Sequence, residues 1–308
     1  MAEISAKMVM DLRKKTGAGM MECKKALVQS EGDFDEAVKI LREKGVAVAA
    51  KKADRIAAEG VVDVLKEGGL TAIVEVNAET DFVAKNAGFR EFVQRILRTL
   101  VSLKPNNVEE LLALPFDGTD LTVEATLKDK IFTIGENMSI RRFELIEGVT
   151  GYYIHGGGAA GCVTKFVCEN GVENKPEFAD FAKNICMQIV AMTPSYVCRN
   201  CVPESVLANE KEIALTQINN DPARSQKPDA IKEKMVEGSI KKFYENACLL
   251  DQGYVKDDKM TVAQYIEATG KELGGAVRVD SFVKYERGEG IEKREDDFAG
   301  EIERLVKG

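Results

Sequence analysis

The feature that most constrains this chain is a repeat. Residues 60–77, GVVDVLKEGGLTAIVEVN, read as a β-hairpin, two β-branched runs around a Gly-Gly turn. After a connector comes AGFREFVQRILRTLVSLKP at 87–105. The same order returns as a glycine-turned hairpin at 151–170, GYYIHGGGAAGCVTKFVCEN, a connector, and PEFADFAKNICMQIVAMTP at 176–194. The two helical stretches align without a gap. Phe89, Phe92, Val93, Ile96, Leu97 and Leu100 fall on Phe178, Phe181, Ala182, Ile185, Cys186 and Ile189, and both stretches stop at a proline, Pro105 and Pro194. Each set has the spacing of a helix laid on a sheet. Two unrelated amphipathic helices would explain the stripes but not the matching hairpins and prolines. Strands and helices segregated in this way predict an α+β fold rather than a doubly wound sheet.

The other segments attach to this pair of units. Residues 1–45 read as three short helices. Ile4, Met8 and Leu12 share a face of the first, and TGAG at 16–19 turns the chain. Cys23, Ala26 and Leu27 point inward from the second, which Gly32 ends. Asp33 with Glu36 starts the third at Phe34, and Gly45 closes it after Lys44. So small a bundle has little core of its own and is expected to dock on something. VAVAAKKADRIAAE at 46–59 reads as a helical or extended linker. The first unit continues with short helices near 108–112 and 123–134 and a strand at 139–148. The second is interrupted at about 203–246 by two helices around NNDPARSQKPDA. Their sparse apolar residues, Val206, Ile213, Ile231, Met235 and Phe243, allow only a narrow seam, as in a projecting antiparallel pair. The unit resumes with a helix at 261–270 and a strand at 275–288.

Most chemistries are argued against by what is missing. There is one histidine, His155, which leaves no basis for a multi-histidine metal site or histidine acid–base catalysis. A net charge of −8 and the absence of Trp oppose nucleic acid as a direct partner. No apolar run reaches membrane-spanning length, and MAEISAKMVMDLRKK lacks the apolar core of a signal peptide. Seven scattered cysteines suit a reducing cytoplasm better than a disulfide scaffold. GGGAAG at 156–161 matches G-x-G-x-x-G, but strand-like CVTKFVC follows where a dinucleotide site needs a helix. It reads as a hairpin turn. HGGG has no G-x-S-x-G partner to make an esterase site. Cys198 and Cys201 form a C-x-x-C without further zinc ligands and at a helix end rather than a helix start. No catalytic residue, cofactor or metal site is expected.

One stretch stands out, NAETDFVAKN at 77–86, which sets Asp81, Phe82 and Val83 at a chain reversal. The corresponding connector of the second unit, ENGVENKP, has no aromatic. Phe82 is therefore either a buried plug of the first unit or an exposed wedge, worth roughly 1.5–3 kcal/mol if buried at a partner's surface.

TGAGMMECKKAL at 16–27, EVNAETDFVAKN at 75–86, IGEN with IRR at 134–142, KMVEGSIKKF at 234–243 and GEGIEK at 288–293 resemble the bacterial elongation factor Ts family, and the resemblance runs essentially end to end. It implies a nucleotide-exchange factor of elongation factor Tu, cytoplasmic, without cofactor, acting as a heterodimer or dimer of heterodimers. The implied organisation is a ubiquitin-associated-like helical bundle and linker at 1–54, a first α+β subdomain at 55–148, a second at 149–290 carrying the helical hairpin, and a C-terminal module at 291–308. The resemblance assigns partner contacts to Thr80, Asp81, Phe82 and Val83, of which Asp81 and Phe82 push into the G domain beside its switch region and disturb its Mg²⁺ and phosphate site. It adds Arg13, Met20 and Met21 from the bundle, Ile134 and Gly135 from a further turn, and His155 from the second subdomain. The family's arginine-bearing G-x-R-I-G segment after that histidine is replaced here by GGGAAGCV. Two other classes stand beside this one: a non-catalytic helical adaptor, and a thiol or metal protein built on Cys198 and Cys201.

Overall fold

Three helices open the chain, α1 (Ala6–Thr16), α2 (Met20–Gln29) and α3 (Phe34–Lys52). Ser5 and Asp33 cap α1 and α3 through their side chains. Val9, Leu12, Cys23, Ala26, Leu27 and Leu41 close a small core between them. Gly45 does not close the third helix. Strong helix formers in the following VAVAAKK outweigh the penalty of about 1 kcal/mol for one internal glycine, so the expected linker is helical to Lys52. Gly45 is buried where α3 meets the helix at Val123–Ile134, with a Cβ there 3.6 Å from Phe132 Cβ. Phe132 also packs on the bundle core, so the bundle docks on the first α+β unit.

That unit comprises β1 (Glu59–Glu67), β2 (Leu70–Ala78), α4 (Asp81–Lys85), α5 (Ala87–Leu103), α6 (Val108–Ala113), α7 (Val123–Ile134) and β3 (Met138–Glu147). The second begins with β4 (Val149–His155), β5 (Ala160–Cys168) and α8 (Pro176–Met192). After α8 come α9 (Glu204–Asn220), the single turn α10 (Pro222–Ser225) and α11 (Asp229–Ala247). A small hairpin of β6 (Gly253–Tyr254) and β7 (Asp257–Thr261), unforeseen in the sequence, leads to α12 (Val262–Leu273) and β8 (Val277–Glu286). The structure, a computed structural model, describes residues 4–292. The expected C-terminal module at 291–308 lies almost wholly outside the described residues.

The architecture is mixed α+β, with N-terminal helices and small antiparallel sheets ordered β1-β2-β3, β4-β5-β8 and β6-β7. In both three-stranded sheets the second strand in the sequence is central, and its pairing with the last strand shifts register once, opposite Glu75/Val76 where β3 has the extra Arg141, and opposite Lys165/Phe166 where β8 has the extra Asp280. The aligned apolar residues of α5 and α8 are all buried, each set on its own sheet. Both helices end on a non-glycine residue in the left-handed region, Lys104 (φ 50°) and Thr193 (φ 47°), one residue before the expected prolines.

Strand alternation gives each sheet a second face, and these meet. Val62, Val64 and Ile73 pack against Val163 and Tyr285, so β2 is buried along its whole length. The Thr71 and Thr150 hydroxyls bond at 2.7 Å within this contact. GGGAAG is a hairpin turn, as expected, and the sheet contact explains its glycines. A Cβ on Gly161 would lie 2.7 Å from Val62 Cγ1, and Gly158 (φ 101°) accepts a hydrogen bond from Val62 N at 2.9 Å.

Glu75, on the same face, is fully buried and is met by two arginines. Arg142 Nε and Arg141 Nη1 donate to it at 2.7 and 3.1 Å, Asn77 Nδ2 at 3.1 Å, and Gly288 N at 2.8 Å. Burial alone would raise its pKa. The bonds from Gly288, Asn77 and Arg142 outweigh that and hold the carboxyl below its usual range. The IRR and GEGIEK motifs thus lock the end of β8 against the first sheet.

The helices at 203–246 form the expected pair, but their seam differs. Ala214, Ile218 and Ile240 are the buried residues, while Ile213 and Ile231 are exposed. Two helices touching along one line bury a single narrow stripe, and those two isoleucines fall off it. Among the described residues no helix is long and apolar enough to cross a membrane.

Candidate functional site

The TDFV segment is a capped helical turn rather than an open loop. Central strand β2 delivers the chain to Thr80, whose side chain accepts from Val83 N and caps α4. The same residue is gripped from outside. Thr80 N and Oγ1 donate to the two oxygens of Glu136 at 3.0 and 2.8 Å. A carboxylate taking two donors from one residue fixes both distance and orientation. Glu136 belongs to the IGEN motif, and its neighbour Asn137 donates to Glu79 Oε1 at 2.5 Å and to the Arg55 carbonyl at 2.7 Å.

The far end of α4 is held by Arg90. Its Nε donates to the Ala84 carbonyl at 2.7 Å and its Nη2 to the Gly157 carbonyl at 2.6 Å. One guanidinium therefore joins the end of the turn to the glycine hairpin of the second unit. Asn86 then caps α5, accepting from Gly88 N at 2.8 Å and Phe89 N at 3.2 Å.

Within this frame neighbouring side chains part ways. Phe82 is 80% exposed, the most exposed of the large apolar side chains among the described residues, while Val83 is 7% exposed and Ala84 2%. Val83 was expected at the partner surface beside Phe82; it is turned into the first unit's core with Phe89 and Phe92 and anchors the tip instead. The two expectations for this stretch, plug and wedge, are thus divided between adjacent residues. The gap-free alignment of α5 with α8 puts Val172 opposite Val83 and Gly171 opposite Phe82. Val172 is likewise fully buried in its own core. The second connector therefore keeps the anchor but has neither the tip nor the capped α-helical turn, Gly171 (φ 71°) leading into a 3-10 turn instead.

Asp81 lies beside Phe82 with its side chain 45% exposed and pairs with Lys85 at 2.6 Å. The Lys85 hydrogen bond holds its carboxyl below the usual range.

Ile134 and Gly135 adjoin the tip through Glu136. Ile134 is half-buried on the core, and Gly135 (φ 85°) ends α7, its carbonyl accepting from Lys52 Nζ. Arg13 is exposed on α1, and Met20 (48%) and Met21 (63%) are exposed at the start of α2. The turn between those helices rests on α7, where a Cβ on Gly17 would lie 3.3 Å from Thr133 Cγ2. His155 is exposed at the end of β4, its Nδ1 3.1 Å from Tyr153 Oη. It is linked to α4 through the glycine turn and Arg90. Among the described residues no cluster of His, Cys, Asp or Glu fits a metal ion. Sequence reasoning missed Glu136 and Arg90. Glu136 sat inside a quoted motif; Arg90 gave no local signal.

The elongation factor TS family profile matches residues 79–289, a span that contains α4 and both of its clamps. Elongation factor Ts of Syntrophotalea carbinolica is 46% identical over 308 residues, covering 99% of this chain and 100% of that protein. Elongation factor Ts of Clostridium perfringens is 46% identical over 310 residues, with 98% and 99% covered. That of Trichlorobacter lovleyi is 44% identical over 306 residues, with 97% of each chain covered. With identity sustained along both whole chains, this chain belongs to the elongation factor Ts family.

Proposed function

We propose that this chain loosens GDP from its GTPase partner by pressing the Phe82 tip of α4 into it. As a member of the elongation factor Ts family the chain is a nucleotide-exchange factor for elongation factor Tu in translation elongation, and it is not an enzyme. The observation that carries the tip assignment is the 80% exposure of Phe82 on a turn clamped at both ends. An exposed phenylalanine on a slack loop would fold away on contact; one on a clamped turn transmits force to what it meets.

The mechanism needs no bond chemistry. A protein that binds the empty GTPase more tightly than the GDP-bound one weakens GDP by the same factor. Equal affinity for both states would shift nothing. Phe82 supplies burial available only where the partner's nucleotide site has opened. Asp81, an ionised carboxylate beside it, opposes the local phosphate charge and competes for the local metal. Thr80 and Val83 hold the tip from below. Arg13, Met20, Met21, Ile134, Gly135 and His155 supply contacts that depend less on the partner's state. GTP then fills the emptied site and displaces the factor.

The paired left-handed caps at Lys104 and Thr193 and the paired anchors Val83 and Val172 support a duplication of one subdomain, divided as 55–148 and 149–290. The bundle at 1–54 is ubiquitin-associated-like, the complex a heterodimer or dimer of heterodimers, and the setting cytoplasmic. Release of a fluorescent GDP analogue from elongation factor Tu tests the function: catalytic amounts of this chain should accelerate it many-fold, and an unchanged rate would reduce the chain to a passive adaptor.

A further inference from the structure

Cys198 and Cys201 are absorbed by none of the foregoing. They bracket a single 3-10 turn, Arg199–Cys201, in which Cys201 N donates to the Cys198 carbonyl at 3.0 Å. That bond closes a four-residue turn, which brings its end Cα atoms within about 7 Å. Disulfides span about 4.4–6.8 Å between Cα atoms. The neighbouring Cys198 thiol, with burial, raises the Cys201 pKa above the usual cysteine range. Both cysteines are free, Cys201 exposed and Cys198 half-buried. The third thiol nearby, Cys248, is fully buried, and burial pushes its pKa up to about 11, which makes it a poor competitor.

The turn sits at a mechanical joint. Residues 195–197 pair with 247–250, with Leu249 N donating to the Tyr196 carbonyl at 2.9 Å and Leu250 N to the Val197 carbonyl at 3.1 Å. Arg199, inside the C-x-x-C, pairs with Asp251 at 2.6 Å and lies over the Tyr244 ring of α11. The segment entering α9 and the segment leaving α11 are thus tied together at the dithiol.

We propose that Cys198 and Cys201 are a reversible oxidation site whose disulfide locks the turn that enters α9 at the root of the α9–α11 hairpin. The oxidant is a peroxide. The Cys198 thiolate attacks one peroxide oxygen; an S–O bond forms, the O–O bond breaks, and the departing oxygen leaves as water or alcohol. The Cys201 sulfur then attacks the sulfenic sulfur; an S–S bond forms, the S–O bond breaks, and water leaves. Two thiols lose two hydrogens and the peroxide gains two electrons. A dithiol reductant reverses the change by exchange.

Reduced full-length protein treated with hydrogen peroxide should lose two hydrogens in intact mass, with Cys198 and Cys201 protected from alkylation until a dithiol is added. C198S and C201S should each abolish the loss, and C248S should leave it. Oxygen addition at Cys201 without hydrogen loss, or a cross-link that survives either of the first two serine variants, overturns the proposal. In the oxidised protein the amides of 195–201, and of 247–251 hydrogen-bonded to them, should exchange hydrogen more slowly; equal exchange in the two redox states refutes the locking role.

Discussion

Phe82→Ala separates the wedge from every structural role the residue could have. The side chain is 80% exposed, so folding loses little by its removal. A surface substitution of this kind changes stability by no more than about 0.5 kcal/mol, about 1–2 °C in Tm for a chain of this size. At the partner's surface the position is reversed. Burying a whole phenylalanine is worth about 1.5–3 kcal/mol, and four-fifths of that remains to be gained, roughly 1.2–2.4 kcal/mol. Converted at 1.36 kcal/mol per decade, this is about 8- to 60-fold. Stopped-flow release of fluorescent GDP from elongation factor Tu, across a range of factor concentrations, reads how the loss divides. Burial made only with the empty partner appears in the maximal rate, and burial made with both states appears in the half-saturating concentration. Val83→Ala is the internal contrast. Val83 is 7% exposed and packed in the core, so its truncation should cost about 2 kcal/mol and lower Tm by about 4–8 °C. A Phe82→Ala protein that melts many degrees lower, or that releases GDP as fast as the parent at every concentration, would refute the reasoning.

Three further outcomes follow from the same geometry. Glu136→Gln replaces one of the two acceptors for Thr80 with a donor; the loss of about 1–2 kcal/mol from the clamp should speed hydrogen exchange across 80–85 and slow GDP release several-fold, with Tm nearly unchanged. Folding depresses the Glu75 carboxyl below its ordinary value of 4.5, so the stability it confers is complete above that value and is lost as pH falls through the lower, folded one; urea midpoints measured downward from pH 6 should drop below about pH 4.5, and Glu75→Gln, destabilised by about 2–4 kcal/mol at neutral pH, should flatten that slope. The double substitution Met20→Ser with Met21→Ser, at side chains 48% and 63% exposed, should raise the half-saturating factor concentration in the GDP-release assay and leave the maximal rate within about twofold.

What could be read in the sequence was what local pattern encodes. The stripes on α5 and α8, the prolines that follow them and the glycine hairpin are each written within a few consecutive residues. The extension of α3 was not legible, because Gly45 imitates a stop signal and only its packing against Phe132 marks it as a crossing point. The exposure of Phe82 depended on whether it or Val83 faced the core, and the sequence places two apolar residues side by side without ranking them. The comparison that decides it, Val172 opposite Val83, required extending the helix alignment backward through a connector that looked unrelated. Glu136 stands 56 positions from Thr80, and Gly157 stands 67 positions from Arg90. Clamps closed over such separations leave no periodicity to find. The hairpin seam failed for a similar reason: Ile213 and Ile231 are apolar, but the line of contact runs through Ala214, Ile218 and Ile240.

The shared valine has a consequence for how such a molecule can change. Since the side chain at 83 fastens the turn to its unit, the exposed side chain at 82 is spared from packing inside the chain. In one half phenylalanine occupies this position within an α-helical turn; in the other Gly171 (φ 71°) takes a left-handed backbone ahead of a 3-10 turn, and both halves keep the buried valine. A residue so released from internal duty is free to be reshaped to fit a drifting counterpart, its size and polarity selected by the other molecule alone.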